Sequence, residues 1–99
     1  MDFFNVVDID AAIHFFKQYN VRKAAIFGSY ARGDDHLNSD IDMIITFTEK
    51  YDLLDIIGLK QDLESVFRRP VDLLTYESLR DDSFAANILA EAKLVYEKN

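Results

Sequence analysis

Two short apolar runs, separated by a polar loop, constrain this 99-residue chain more than any other feature. The first, Ala24-Ala25-Ile26-Phe27, stops at Gly28-Ser29, and the second, Ile41 to Ile45, opens on Asp40 and Asp42. Read as a strand, the second run sends alternate side chains to one face, so Asp40 and Asp42 project together, roughly 7 Å apart or less. Carboxylates that close can share metal ions. Gly28-Ser29 falls where a strand gives way to a short helix, and there free backbone N–H groups and a hydroxyl can hold a phosphate. A phosphate cradle facing paired carboxylates is equipment for metal-dependent phosphoryl or nucleotidyl transfer.

Composition narrows the setting. A hydrophobic content of 49%, with 3 Gly, 1 Pro and no repeated or Ser-rich stretch, supplies one core and no linker. The expectation is one domain over residues 1–99. Cysteine is absent, which excludes disulfides and thiolate metal sites, and His14 and His36 alone do not make a structural zinc site. The N-terminal Met-Asp-Phe-Phe-Asn lacks the basic region of a signal peptide, and no apolar run reaches membrane-spanning length, so the chain reads as cytoplasmic with no membrane partner. A net charge of −7 argues against direct nucleic-acid binding, which needs a basic face. A nucleotide with its magnesium ions, or a basic protein partner, is compatible with that acidity. The oligomeric state is left open by the sequence, a homo-oligomer included.

Along the chain, Asp8 is placed to cap a helix carrying Ile9, Ala12, Ile13 and Phe16, which Asn20 ends. Strands are expected over 22–27 and 41–47, the latter with both faces buried, and a single helical turn over 29–32 closed by Gly33. Residues 34–38 read as a loop. A helix over 52–67 carries a stripe of Leu53, Ile56, Leu59, Leu63, Val66 and Phe67, and Gly58 lowers its propensity by about 1 kcal/mol. Pro70 punctuates before a strand over 71–74, and residues 78–82 are turn-like. The last helical stripe is Phe84, Ile88, Leu89 and Ala92, and residues 94–96 add an edge strand. This order is that of an α/β (α+β) protein, a small mixed β-sheet flanked by helices.

Gly28-Ser29-Tyr30-Ala31-Arg32-Gly33 followed by Ser39-Asp40-Ile41-Asp42 resembles the signature of nucleotidyltransferases in the DNA polymerase β superfamily, and within it the minimal nucleotidyltransferase (MNT) group. Pro70-Val71-Asp72-Leu73-Leu74 matches the strand on which that family carries a third carboxylate. The resemblance implies the polymerase β palm-like fold. It also implies two Mg²⁺ ions on Asp40, Asp42 and Asp72 as metal ligands and catalytic residues, and ATP as the nucleotide substrate. Gly28 and Ser29 would hold the triphosphate, with Arg32 and Ser39 beside them. Taken alone, Asp72 could be a strand-edge residue, and Arg32 could contact a phosphate or hold the loop to the domain. Arg68 and Arg69 read as a solvated helix end, and His36 as a loop residue.

Small MNT proteins pair with HEPN-domain proteins in toxin–antitoxin modules. The resemblance therefore implies an antitoxin that transfers a nucleoside monophosphate, AMP from ATP, to a hydroxyl of a HEPN partner. The rival reading is a binding module that silences the partner by occlusion, with a weak or vestigial nucleotide site. Retention of all three carboxylates favours the enzyme.

Overall fold

The computed structural model describes residues 8–33 and 40–99. The elements are α1 (Ile9–Gln18), β1 (Val21–Phe27), α2 (Gly28–Arg32), β2 (Ile41–Phe47), α3 (Leu53–Phe67), β3 (Val71–Thr75), a 3₁₀ turn (Tyr76–Ser78), α4 (Ser83–Glu91) and β4 (Lys93–Glu97). The mixed sheet has the strand order β3-β2-β1-β4. β1 runs antiparallel to both β2 and β4, whereas β2 and β3 are parallel, their crossover being α3. Among the described residues no helix is long and apolar enough to cross a membrane.

Acidic side chains set the helix starts. Asp8 accepts the Ala11 N–H at 3.0 Å and Asp82 accepts that of Ala85 at 2.9 Å. Asp52 and Asp55 accept each other's N–H at 3.0 Å, a reciprocal box at the head of α3. Caps of this kind are worth about 1 kcal/mol each. At the other end of α3, Arg68 turns left-handed (φ 57) and Pro70 then starts β3.

The two faces of the sheet are covered unequally. Ala24, Ile26, Met43 and Ile45 belong to one cluster with Ala12 and Phe16 of α1 and Leu59, Leu63 and Phe67 of α3. On the opposite face, Ala25 and Ile44 meet Ile88 of α4, with Phe27, Leu74 and Ala92 packed around them. As its composition predicts, β2 is buried from both faces, save for half-buried Asp42 and Thr46. Three members of the expected stripes lie outside the core. Leu53 is 68% exposed because it opens α3, beyond the point where Leu59 enters the core. Phe84 and Leu89 are 64% and 53% exposed, because α4 rests on the sheet through Ala85 and Ile88.

Gly58, costly to a helix, has a packing reason. A Cβ there would stand 2.8 Å from the Tyr19 hydroxyl, which donates to Asp62 Oδ2 at 2.6 Å and ties α1 to α3.

Candidate active site

The strand register assembles the site. The Ile41 N–H donates to the Pro70 carbonyl at 2.8 Å, fixing the start of β3 against β2. In the resulting register Asp42 pairs with Asp72 on one side and with Phe27 on the other. Phe27, Asp42 and Asp72 therefore form a row across three strands, and strand alternation puts that row on the face that α4 covers. Asp40, one residue before β2, and Asp72 are exposed, while Asp42 is half-buried. Burial first, and then the charges of Asp72 and Asp40, push the Asp42 carboxyl above its ordinary range, with Arg32 pulling it back. Asp42 thus lies within electrostatic reach of both Asp40 and Asp72. Among the described residues no three such groups close into a metal cluster on their own.

Gly28 sits under Asp42. Its φ of +77 is in the left-handed region, and a Cβ built on it would overlap Asp42 Oδ2 and stand 3.1 Å from the Asp42 Cγ. The sequence expectation was room for a triphosphate; the first thing this glycine makes room for is the central carboxylate. Tyr30 and Ala31, both buried, anchor the short α2 behind it. Arg32, read as contacting a phosphate or holding the loop to the domain, pairs with Glu91 Oε1 at 3.0 Å and links α2 to α4. Arg68 is exposed as expected, but the Arg69 guanidinium lies 5.6 Å from the Tyr30 ring centroid, on the underside of the same turn. The Ser29 side chain, Ser39, His36 and the 34–38 loop lie outside the described residues.

A cleft of about 460 Å³ opens beside the row, bordered by Phe27, Gly28, Arg32 and Asp42 from the sheet and α2, and by Phe84, Asn87, Ile88 and Glu91 from α4. The volume is of the size that small-molecule ligands occupy. Asn87 and Glu91 did not stand out in the sequence, and Phe84 was read there as part of an apolar stripe. Their i, i+3, i+7 spacing was the available signal, since it places them on one side of a helix. The arrangement joins an acidic row able to hold hard cations, a backbone that passes close to it, and a ligand-sized opening.

Comparison with known proteins agrees with this geometry. The family model described as polymerase beta, nucleotidyltransferase, matches residues 10–99. A Methanocaldococcus jannaschii protein, provisionally assigned as a protein adenylyltransferase, is 47% identical over 62 residues, covering 63% of this chain and 67% of that protein. The protein adenylyltransferase MntA of Thermococcus cleftensis is 35% identical over 79 residues, 80% of this chain and 79% of its own length. Among solved structures, one provisionally described as a minimal nucleotidyltransferase superposes with a TM-score of 0.75 at 29% identity, covering 86% of both chains. A toxin–antitoxin structure with AMP-PNP gives a TM-score of 0.78 at 23% identity over 93% of this chain and 75% of the other. The complex of a tri-AMPylated Shewanella oneidensis HEPN toxin with its MNT antitoxin gives 0.67 at 20% identity over 91% and 70%. The last two likenesses speak for a shared fold.

Proposed function

The chain belongs to the polymerase β nucleotidyltransferase family, and from that premise we propose that it transfers AMP from ATP to a hydroxyl group of a HEPN-domain toxin, as the antitoxin of the pair. The single observation that carries this reading is the row of Asp42 and Asp72 across β2 and β3 with Gly28 beneath Asp42. Two relatives bear the name protein adenylyltransferase, and one structural neighbour is an AMPylated HEPN toxin bound to an MNT antitoxin.

The residues divide the work as follows. Gly28 and Ser29 hold the triphosphate by backbone N–H groups and the hydroxyl, with Arg32 and Ser39 as neighbours. Asp72, exposed at its edge of the row, faces the incoming hydroxyl. The acceptor oxygen gives up its proton to the Asp72 carboxylate and forms a bond to the α-phosphorus, the bond from that phosphorus to the bridging oxygen breaks, and pyrophosphate leaves. The donor set suits magnesium: all oxygen, with a half-buried central carboxyl whose charged form is disfavoured by burial and then by its acidic neighbours until a cation offsets them. Asp40, Asp42 and Asp72 would hold two Mg²⁺ ions, whose chemistry when bound is to neutralise phosphate charge and to activate the acceptor hydroxyl. Everything else is positioning and electrostatics.

The test is to incubate the protein with ATP, Mg²⁺ and a HEPN protein encoded beside it, and to weigh the partner by intact mass spectrometry. The expected result is one or more added AMP units, and none with Asp42→Asn. Binding and silencing of the partner without any mass change would replace this reading with occlusion.

A further inference from the structure

The cleft between α2 and α4 has a lining that phosphate chemistry does not explain. Among its described residues the cation is Arg32, already engaged by Glu91 at 3.0 Å, and the carboxylates of Asp42 and Glu91 oppose a bare polyphosphate. α4 adds a phenyl ring that is 64% exposed, Phe84, and one turn later an exposed carboxamide, Asn87. A flat apolar ring beside an amide that both donates and accepts is the equipment for holding a heteroaromatic base.

The position decides which reactant enters. In the reading above Gly28 lies at the nucleotide and Asp72 at the acceptor hydroxyl, whose oxygen attacks the α-phosphorus opposite the departing pyrophosphate. Asp72 does not border the cleft, whereas Gly28 does, so the cleft lies on the nucleotide side of Asp42. We infer that α4 is the base-selecting element of this enzyme, Phe84 stacking on the adenine of ATP and Asn87 reading its edge. This rests on the nucleotidyltransferase reading above and adds the residues that choose the nucleotide. The Asn87 carbonyl accepts from the 6-amino group of adenine, and its NH₂ donates to the adenine N7. Guanine offers a carbonyl at that position and breaks the pattern. An aspartate at 87 would instead accept from the ring N–H and 2-amino group of guanine.

Isothermal titration with non-hydrolysable ATP, GTP, CTP and UTP analogues plus Mg²⁺ tests this without needing an acceptor. The native protein is expected to bind the ATP analogue about tenfold more tightly than the GTP analogue, the size of one bidentate base contact. Asn87→Asp should remove or reverse that preference. Phe84→Ala should weaken all four analogues roughly tenfold, as loss of a stacking ring does. Both side chains are exposed, so neither change threatens the fold. Equal affinity for the four analogues in the native protein would overturn the inference while leaving the nucleotidyltransferase reading standing. If neither variant alters nucleotide affinity but both reduce labelling of the protein acceptor, the cleft takes the acceptor and the inference is also overturned. If no triphosphate binds the native protein at all, the broader reading falls with it.

Discussion

The face of the sheet under α1 and α3 and the face under α4 are built from the same strands, alternate residue by alternate residue. Under α1 and α3, Ile26, Met43, Ile45, Leu59 and Leu63 are fully buried, with Phe16 beside them. Under α4, the same strands present Ala25, Phe27, Asp42, Ile44 and Asp72, and a helix of nine residues covers them only in part. One face is closed and apolar throughout. The other gives up burial at one end, where two charged residues stand in register and a cleft remains open. The period-2 alternation of a strand separates stability from chemistry, because each residue serves only one face. Residues facing α4 can then be altered without touching the main core.

That division can be broken most sharply at Asp42. Asp42→Asn should lower nucleotidyl transfer by roughly 10³-fold, the scale of losing a principal electrostatic element of a site, without unfolding the protein. The raised carboxyl pKa gives a sign for stability. The folded protein binds that proton more tightly than the unfolded chain, so stability is lost as pH rises past the ordinary value of 3.8. In the absence of metal the variant should therefore melt higher than the native protein near neutral pH, and the gain should vanish at acid pH, where the native carboxyl is protonated. A calorimetric melt that falls at pH 7 would show that Asp42 belongs to the structural half.

The converse substitution is Leu63→Ala, which should cost about 2–5 kcal/mol for a fully buried leucine. Leu89→Ala, at a half-exposed position of α4, should stay within about 0.5 kcal/mol. Urea titration of both measures the contrast, and similar losses would erase the distinction between the faces.

Two glycines sharpen it further. Gly28 and Gly33 both have positive φ, +77 and +83, so alanine at either strains the backbone by about 1–2 kcal/mol. A Cβ at Gly33 meets nothing within 4 Å, whereas at Gly28 it displaces the Asp42 carboxylate. Gly28→Ala should lose transfer activity, and Gly33→Ala should lose only the stability, read as melting temperature beside initial rate.

A small effect also belongs to the closed face. Tyr19→Phe removes the hydrogen bond to Asp62 between α1 and α3, at a cost of about 1 kcal/mol. That bond, chiefly, raises the Tyr19 hydroxyl to about 12 from 10.0, so its contribution is whole below pH 10 and declines as pH climbs toward 12. The native and variant melting curves should converge across that interval.

Much of this was legible in the chain. Asp8 ahead of an Ile9–Phe16 stripe, Pro70 before Val71, and the two strands flanking the Gly28–Asp42 stretch each follow local rules that tertiary structure did not override. Asp40 and Asp42 were visible through their alternate spacing at the head of an apolar run, and Asp72 mainly through the family resemblance. Phe84 and Leu89 were misplaced because a short helix on a narrow face needs few contacts, and its periodicity does not say which apolar residues make them. Asn87 and Glu91 went unread because an amide or carboxylate on an exposed helix looks like any solvated surface until the cleft beside it is seen. The partner of Arg32 lies on a helix far along the chain, beyond the reach of local pattern.

β4 lies beside β1 in the sheet, pairing Lys23 with Glu97 and Ala24 with Tyr96, and the Lys98 N–H donates to the Arg22 carbonyl at 2.8 Å. Those partners are separated by β2, α3, β3 and α4, so on a ribosome that edge of β1 stays bare until β4 has emerged. The α1–α3 side can collapse earlier, since its strands and helices are already in hand. The α4 side of the cleft comes later, carried in just ahead of that final strand. In a nascent chain the α1–α3 core is therefore in hand before α4 closes the cleft.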